Sequence, residues 1–570
     1  MLFKEYLSKT LSKNTNGYVF GMSGANIEVL LESLTKAQLN ITIAKTENNA
    51  VAMAVGSFLK TKKLGVVVTT SGGALLNTLP MVAEAFSSRN PCLIITGLPP
   101  STQMGLGAFQ ETSGLNQTFD STKLFEPITC SCKTLSSPEQ IIDAIESSLK
   151  LAMNEKRPAM IQIPSNFWNT SIGKIEEKDF KLNLHLEKYL SPRKKEKVSI
   201  FFKKTNKNKK PLIILGNEAN TLTCTKDLKR LILNSQYLWC GTPETKGFFN
   251  HHDPSFKGLI GIMGHETANE ELSKAEDIIF IGVKNNLMEM YGLSEVLKNK
   301  NILCLNQFEN YWHQKSEEQI IIHSPLDHLL NELLTYLPLF IDSVDKTDYS
   351  FIHQTLQEDE LRKEFNLKTV TQQLDALLPK DADLFIDAGN TGANAIHYLN
   401  PTGNSLLYIS LGMGAMGNSI GVAIGSALAG MRQKEMSKKT IVIIGDGSFL
   451  ISGLEIHTAI EKNLPIIFIL MNNNSHEMCK TREKVFALNS SKGASLNNFK
   501  KTNYARGFGH LFSELKTYDI NSPAELTNAF SHINKTHSPT LICLNINEEI
   551  LPPFKSFKEA LSQQTGNKNV

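Results

Sequence analysis

At 570 residues, with 41% hydrophobic and 20% charged side chains and a formal net charge of +3, the chain is too long for one core and points to about three domains of ordinary size. So small a net charge argues against a nucleic-acid binder built on a basic surface, and no apolar stretch reaches the roughly 18 residues of a membrane span. The start Met1-Leu2-Phe3-Lys4-Glu5 lacks the apolar run of a secretion signal, and the eight scattered cysteines, of which only Cys130 and Cys132 are close, fit neither a zinc knuckle nor a redox pair. The expectation is a cytoplasmic protein with reduced thiols and no nucleic-acid or membrane partner.

Apolar runs at Ile41 to Ala44, Leu64 to Thr69, Cys92 to Thr96 and Ala159 to Ile163 alternate with helical patterns, which predicts a parallel, doubly wound sheet. The dense lysine run between Arg193 and Lys210 reads as an exposed interdomain linker. A second α/β block follows, with Pro211 to Gly216, Asp277 to Gly282 and Ile302 to Leu305. A polar stretch around Asp342 to Glu360 leads into a third, with Asp383 to Asp387, Ser405 to Ser410, Ile441 to Ile444, Pro465 to Met471 and Thr540 to Leu544. The fold class is α/β, three doubly wound parallel-sheet domains, expected over residues 1–185, 186–345 and 346–570.

The chemistry is densest in the third block. Ile441 to Ile444 runs into Gly445-Asp446-Gly447-Ser448, and Pro465 to Met471 runs into Asn472-Asn473. Both runs have the length and β-branched content of buried parallel strands, and Ile451 to Lys462 can form the crossover helix between them. A right-handed crossover puts the carboxyl ends of both strands on one sheet edge, so Asp446 and Asn473 meet where open α/β folds bind ligands. An Asp carboxylate and an Asn carbonyl are hard oxygen donors suited to Mg²⁺ or Ca²⁺ together with phosphate oxygens. Gly445 and Gly447 let backbone N–H groups approach that phosphate. Gly412, Gly414 and Gly417 spell the dinucleotide fingerprint GxGxxG, but the acidic partner at the end of the next strand is missing.

The GDG…NN pair resembles the cofactor motif of the thiamine diphosphate (ThDP) enzymes. Thr46-Glu47-Asn48-Asn49-Ala50 through Gly56 is similar to the region of the catalytic Glu in the acetolactate synthase group of that family. Thr70-Ser71-Gly72-Gly73-Ala74 to Asn77 resembles its TSGPGATN, with Gly73 where the family has Pro. Ala108-Phe109-Gln110-Glu111 matches its AFQE, Gly258 to Asn269 its GMLGMHGTAAAN, and Gly412 to Gly417 its GxGTMG. Asp387-Ala388-Gly389-Asn390-Thr391 occupies the place of a diphosphate-contacting loop, and the likeness extends from residue 15 to residue 550.

That resemblance implies pyrimidine-binding, central and diphosphate-binding domains, with ThDP and Mg²⁺ held across the interface of a homodimer or a dimer of dimers (homotetramer). Asp446, Asn473 and the Ser475 carbonyl are the implied metal ligands. Gly389, Asn390, Thr391, Gly445, Gly447 and Ser448 are the implied contacts to the diphosphate. Met416 corresponds to the apolar wedge that bends the cofactor, the Gly414 carbonyl to the acceptor for the pyrimidine amino group, and Glu47 to the acid that shares a proton with the pyrimidine ring. Phe109, Gln110, His476 and Arg482 are the implied substrate residues.

Three departures bear on activity. Gly282-Val283-Lys284-Asn285-Asn286-Leu287 stands where FAD-containing members carry GxRFDDR, which argues against FAD. The acceptor-selecting Trp of the family falls on Arg482, and its Gly-Met on Glu477-Met478. No His pair follows Gln110 as in pyruvate decarboxylases; His251-His252 lies in the middle block. The expected activity is decarboxylation of pyruvate or a similar 2-oxo acid with transfer of the acyl anion equivalent to a second carbonyl compound, the work of an acetolactate synthase-like transferase or lyase. The alternatives are a non-ligating 2-oxo acid decarboxylase and a catalytically silent ThDP-binding homologue.

Overall fold

The computed structural model describes residues 1–173, 179–180, 189–206, 209–221, 228, 232, 237–248, 250–309, 318–337, 364–403, 405–432, 438–486, 495–546 and 550–565. Apolar β-branched runs such as Val66-Val67-Val68 and Ile441-Val442-Ile443-Ile444 are buried throughout, as strands covered by helices on both faces must be. They build three six-stranded sheets.

The first sheet holds β1 (Tyr18–Gly21), β2 (Asn40–Ile43), β3 (Val66–Thr70), β4 (Leu93–Leu98), β5 (Ser131–Thr134) and β6 (Ala159–Pro164) in the order β2-β1-β3-β4-β6-β5. The second holds β7 (Leu212–Leu215), β8 (Trp239–Gly241), β9 (Phe256–Leu259), β10 (Asp277–Ile281), β11 (Asn301–Asn306) and β12 (Gln319–His323) in the order β12-β11-β10-β7-β8-β9. The third holds β13 (Asp383–Ile386), β14 (Leu407–Ile409), β15 (Thr440–Gly445), β16 (Ile466–Asn472), β17 (Lys516–Ile520) and β18 (Thr540–Asn545) in the order β14-β13-β15-β16-β18-β17. Neighbouring strands pair in parallel throughout. The α/β class with three doubly wound sheets is therefore as expected, and the first and third sheets share one winding.

Two local expectations are corrected. The lysine-rich segment is not a linker for most of its length: Pro192–Lys204 is a helix that buries Val198, Phe201 and Phe202 and stacks the Phe202 ring on Tyr336 at 4.7 Å. The spacing of those three residues gives one apolar stripe, and the lysines are what its opposite face shows to water. The crossover between β15 and β16 is not one helix from Ile451 to Lys462. It starts at Asp446 directly after β15 and breaks at Gly453–Glu455 before resuming as Ile456–Glu461. The expected domain boundaries at 185/186 and 345/346, and the polar stretch from Asp342 to Glu360, lie outside the described residues. Among the described residues no helix is long and apolar enough to cross a membrane.

The first and third blocks are locked together by two helices, Glu47–Thr61 and Asn418–Arg432. A Cβ on Gly56 would fall 1.9 Å from the Val422 carbonyl oxygen, and one on Gly425 equally close to that of Met53. Glycine is the residue that permits this backbone approach. Around the seam, Lys60 pairs with Asp383 at 3.0 Å with both side chains nearly buried, and the Tyr18 hydroxyl donates to the Leu428 carbonyl at 2.7 Å.

The middle block grips the third at the end of the helix Asn390–Tyr398. Lys246 Nζ donates to the Ile396 carbonyl. His265 Nδ1 accepts from the Leu259 amide at 2.9 Å, so its proton sits on Nε2, which donates to the His397 carbonyl at 3.0 Å. Burial holds His265 well below the usual imidazole range, so the neutral ring makes both bonds.

Candidate cofactor site

The winding of the third sheet reverses between β13 and β15, and that crevice is where open α/β sheets take ligands. A cavity of about 480 Å³ opens there. β15 ends at Gly445, and Asp446 begins the helix Asp446–Ser452 without an intervening loop. Its carboxylate is buried. Oδ1 accepts from the Gly447 amide at 2.9 Å and Oδ2 from the Ser475 amide at 3.1 Å. Burial pushes this carboxyl up from 3.8 to about 6, with the neighbouring amides pulling the other way.

β16 delivers the second half. Its register sets Gly445 opposite Met471, so Asn472 and Asn473 follow at the same edge as Asp446. Asn474 turns the chain in the left-handed region at φ +55°, a conformation asparagine tolerates, and its Oδ1 and carbonyl are fixed by the amides of Thr502 and Phe499. The turn folds residues 473 to 475 around the Asp446 carboxylate. Asn473 Nδ2 donates to Glu477 Oε2 at 3.0 Å, and Ser475 Oγ lies 2.9 Å from the same oxygen.

β13 contributes Gly389, at φ +94°, as the cap of the helix Asn390–Tyr398. Amides in the first turn of a helix have no intrahelical acceptor and favour anions, and both Asn390 and Thr391 line the cavity. The Asn390 side chain is buried, with Nδ2 on Thr481 Oγ1 at 3.1 Å and Oδ1 without a partner. Turned over, the same amide would accept from the Thr481 hydroxyl and present two N–H donors.

The loop Gly412–Gly417 forms the opposite wall. Gly414 sits at φ +68° with open space where a Cβ would be, and Met416 Cε lies 3.5 Å from the position of a Cβ on Gly447. Two buried carboxylates hold this loop. Glu84, from the first block, accepts from the amides of Gly412 and Met413 at 2.9 and 2.7 Å. Asp387 accepts from Gly417 and from the amide and hydroxyl of Ser419. Sequence reasoning assigned no role to Glu84 or Glu477, and took Asp387 only as part of a diphosphate-contacting loop. The one signal for Glu84 is a carboxylate inside the apolar helix Leu79–Ser87.

His476 joins the cavity: its Nδ1 stands 2.5 Å from where a Cβ on Gly447 would be, and its ring packs edge-on to Phe499 at 4.6 Å. The structure thus gathers Gly389, Asn390, Thr391, Gly414, Met416, Gly445, Asp446, Gly447, Ser448, Asn473, Ser475 and His476 around one cavity. Four expected residues do not line it. Glu47 opens the helix Glu47–Thr61 behind its Thr46 cap and accepts from Asn77 Nδ2 at 2.7 Å. Gln110 accepts from the Thr70 hydroxyl at 3.0 Å, Phe109 is 82% exposed, and Arg482 is exposed with its guanidinium 5.9 Å from the Phe486 ring.

The donor set suits a hard divalent cation and a diphosphate: one buried carboxylate, an amide oxygen and a backbone carbonyl, flanked by two helix starts and by glycines that leave room for a ligand. Among the described residues no group of three His, Cys, Asp or Glu side chains forms a metal cage, so a cation here depends on ligand or water oxygens to complete its shell. At the corresponding crevice of the middle sheet, between β7 and β10, Lys284 Nζ instead meets the Glu244 carboxylate at 2.7 and 2.9 Å, and the Lys284 amide donates to Glu289 Oε2 at 2.8 Å. Side chains of the chain itself line that crevice.

A doubly wound α/β protein with an oxygen-lined, glycine-opened cavity at a sheet switch point is the class that fold and site define. The chain belongs to the thiamine pyrophosphate enzyme family: the family's N-terminal TPP binding, central and C-terminal TPP binding domains match residues 1–119, 202–333 and 387–544. It is 23% identical to the acetolactate synthase isozyme 1 large subunit of Escherichia coli, over 98% of this chain and 97% of that one. It is 23% identical to a probable acetolactate synthase large subunit of Methanococcus aeolicus (94% and 91%) and 22% identical to pyruvate decarboxylase 1 of Arabidopsis thaliana (80% and 74%). A crystal structure of benzoylformate decarboxylase from Polynucleobacter necessarius superposes with a TM-score of 0.79 at 18% identity, covering 97% of this chain and 99% of that one.

Proposed function

We propose that this ThDP-dependent enzyme decarboxylates a 2-oxo acid and transfers the resulting acyl anion equivalent to a second carbonyl compound. The observation that carries the reading is the convergence of Asp446, Asn473, Ser475 and two helix starts on one cavity. Asp446, Asn473 and the Ser475 carbonyl would hold Mg²⁺, while Gly389, Asn390, Thr391, Gly445, Gly447 and Ser448 would receive the diphosphate. Bound there, ThDP would supply a carbon nucleophile and an electron sink for loss of carbon dioxide. Met416 would support the cofactor from the cavity wall and the Gly414 carbonyl would accept from its amino group.

Glu47 is assigned to hold a proton at its carboxylate, oriented by the bond from Asn77. His476, which lines the cavity beside Gly447, is assigned as a proton donor to substrate, and Phe109, Gln110 and Arg482 are assigned to substrate selection. Because Glu47, Phe109 and Gln110 stand away from the cavity of their own chain, we assign the complete site to two copies, as a homodimer or a dimer of dimers. The exposed apolar side chains Leu450, Ile451 and Leu454 directly after Asp446, with Leu106 and Phe109 in the first block, support a covered face there. Flavin has no part in this reading, since Gly282 to Leu287 lacks the arginines that FAD-containing members carry there.

A second reading, decarboxylation without ligation, is favoured by His476 in the cavity and by the likeness to pyruvate decarboxylases. The retained Glu47, Asp446 and Asn473 argue against a silent homologue. Purified protein with ThDP, Mg²⁺ and a panel of 2-oxo acids, with and without aldehyde or keto-acid acceptors, tests all three. Acyloin or acetohydroxy acid supports ligation, free aldehyde supports the second reading, and absence of carbon dioxide release from cofactor-loaded protein refutes both.

A further inference from the structure

Glu477 places a second carboxylate beside the cation site. It opens the helix Glu477–Val485, is half-buried, and lines the same cavity as Asp446 and Asn473. Its Oε2 receives Asn473 Nδ2 at 3.0 Å and Ser475 Oγ at 2.9 Å. The Ser475 hydroxyl also stands 3.2 Å from Asn473 Oδ1. A serine has one proton to give, and the charged oxygen is both nearer and the stronger acceptor, so the Asn473 carbonyl keeps its lone pairs.

We propose that Glu477 is a positioning residue that fixes which end of the Asn473 amide faces the cation. An ionised carboxylate only accepts hydrogen bonds. With Nδ2 on Glu477, the amide oxygen points away from the carboxylate and is available as a ligand. Turned over, the amide would set two acceptor oxygens 3.0 Å apart, which costs a hydrogen bond and adds repulsion. Partners of this kind, behind the ligating atoms, orient the ligand and raise metal affinity. The inference rests on the reading that Asp446, Asn473 and Ser475 hold a divalent cation. What it adds is that this chain, carrying Glu where its resemblance leads one to expect Gly, uses that side chain to preset the amide.

The test is the affinity for Mg²⁺ of full-length protein saturated with ThDP, measured by titration calorimetry for the wild type and for Glu477→Ala, Glu477→Met and Glu477→Gln. Ala and Met carry no acceptor, and Met keeps the bulk should the smaller side chain unsettle the helix. Both should weaken Mg²⁺ about 10- to 100-fold. Gln still offers a carbonyl oxygen to both donors without a charge, so it should stay under about tenfold. The thermal midpoint of the metal-free protein should hold within the spread of replicates across the set. Wild-type affinity in Ala and Met would overturn the proposal. So would a Gln variant as weak as Ala, because that pattern belongs to charge and not to orientation. A wild type that takes up ThDP without any Mg²⁺ overturns the underlying cation reading as well, and that failure is told apart because it precedes any mutation.

Discussion

Asp446 carries a stability consequence that can be measured without any turnover. Burial raises its carboxyl from 3.8 to about 6, so the folded, metal-free protein holds this proton more tightly than the unfolded chain does. The stability it contributes is full below the unfolded value and is lost as pH rises through the folded one. The gap corresponds to about 3 kcal/mol. Asp446→Asn keeps the shape and removes the titration, so a constant offset separates variant from wild type except for this proton. In EDTA, urea unfolding should show the wild type losing about 3 kcal/mol relative to the variant between about pH 4 and pH 7. Mg²⁺ with ThDP should erase that slope in the wild type, because a cation favours the ionised carboxylate, and leave the variant unmoved. A difference that stays flat with pH in EDTA, or one that grows in favour of the wild type as pH rises, would refute the account of a desolvated carboxylate awaiting a cation.

Further outcomes follow from the same geometry. Glu47→Gln should lower turnover roughly 10²- to 10⁴-fold while ThDP binding measured by calorimetry persists; full activity would remove Glu47 from the mechanism. Gly447→Ala places a Cβ 2.5 Å from His476 Nδ1 and should weaken ThDP in the presence of Mg²⁺ by about tenfold, the equivalent of 1.4 kcal/mol, whereas unaltered affinity would contradict this packing. Gly425→Ala drives a Cβ into the Met53 carbonyl; overpacking of this kind costs about 1–3 kcal/mol, read as a lower urea midpoint, and a midpoint equal to that of the wild type would show that the two helices do not meet so closely.

Twelve of the eighteen described strands could be read from runs such as Leu212-Ile213-Ile214-Leu215, because parallel strands buried on both faces have no polar phase to confuse the pattern; β1, β5, β8, β9, β12 and β17 were not, among them the three-residue β8 and the polar, partly exposed edge strands β5 and β17. Asp446 and Asn473 could be placed at one sheet edge because each stands two residues beyond such a run, and crossover handedness does the rest. The helix Pro192–Lys204 was not, since its lysines dominate the composition while only Val198, Phe201 and Phe202 declare the buried stripe. Nor could Glu84 and Asp387 be found as supports of the loop Gly412–Gly417, because a buried carboxylate that accepts backbone amides leaves no spacing signature. Their acceptor role exists only once residues 84, 387 and 412 to 417 meet in space. Glu477 was visible as a departure from Gly, but its bond to Asn473 needed the turn at Asn474.

The helix Asn390–Tyr398 presents its start to the cavity, while its last carbonyls are satisfied by Lys246 and His265 from the middle block. The electropositive tip that the proposed function assigns to a phosphate is therefore steadied from behind by the middle block. Loosening that neighbour would fray the helix from its far end, so on the proposed reading the docking of the central block would tune anion capture from a distance.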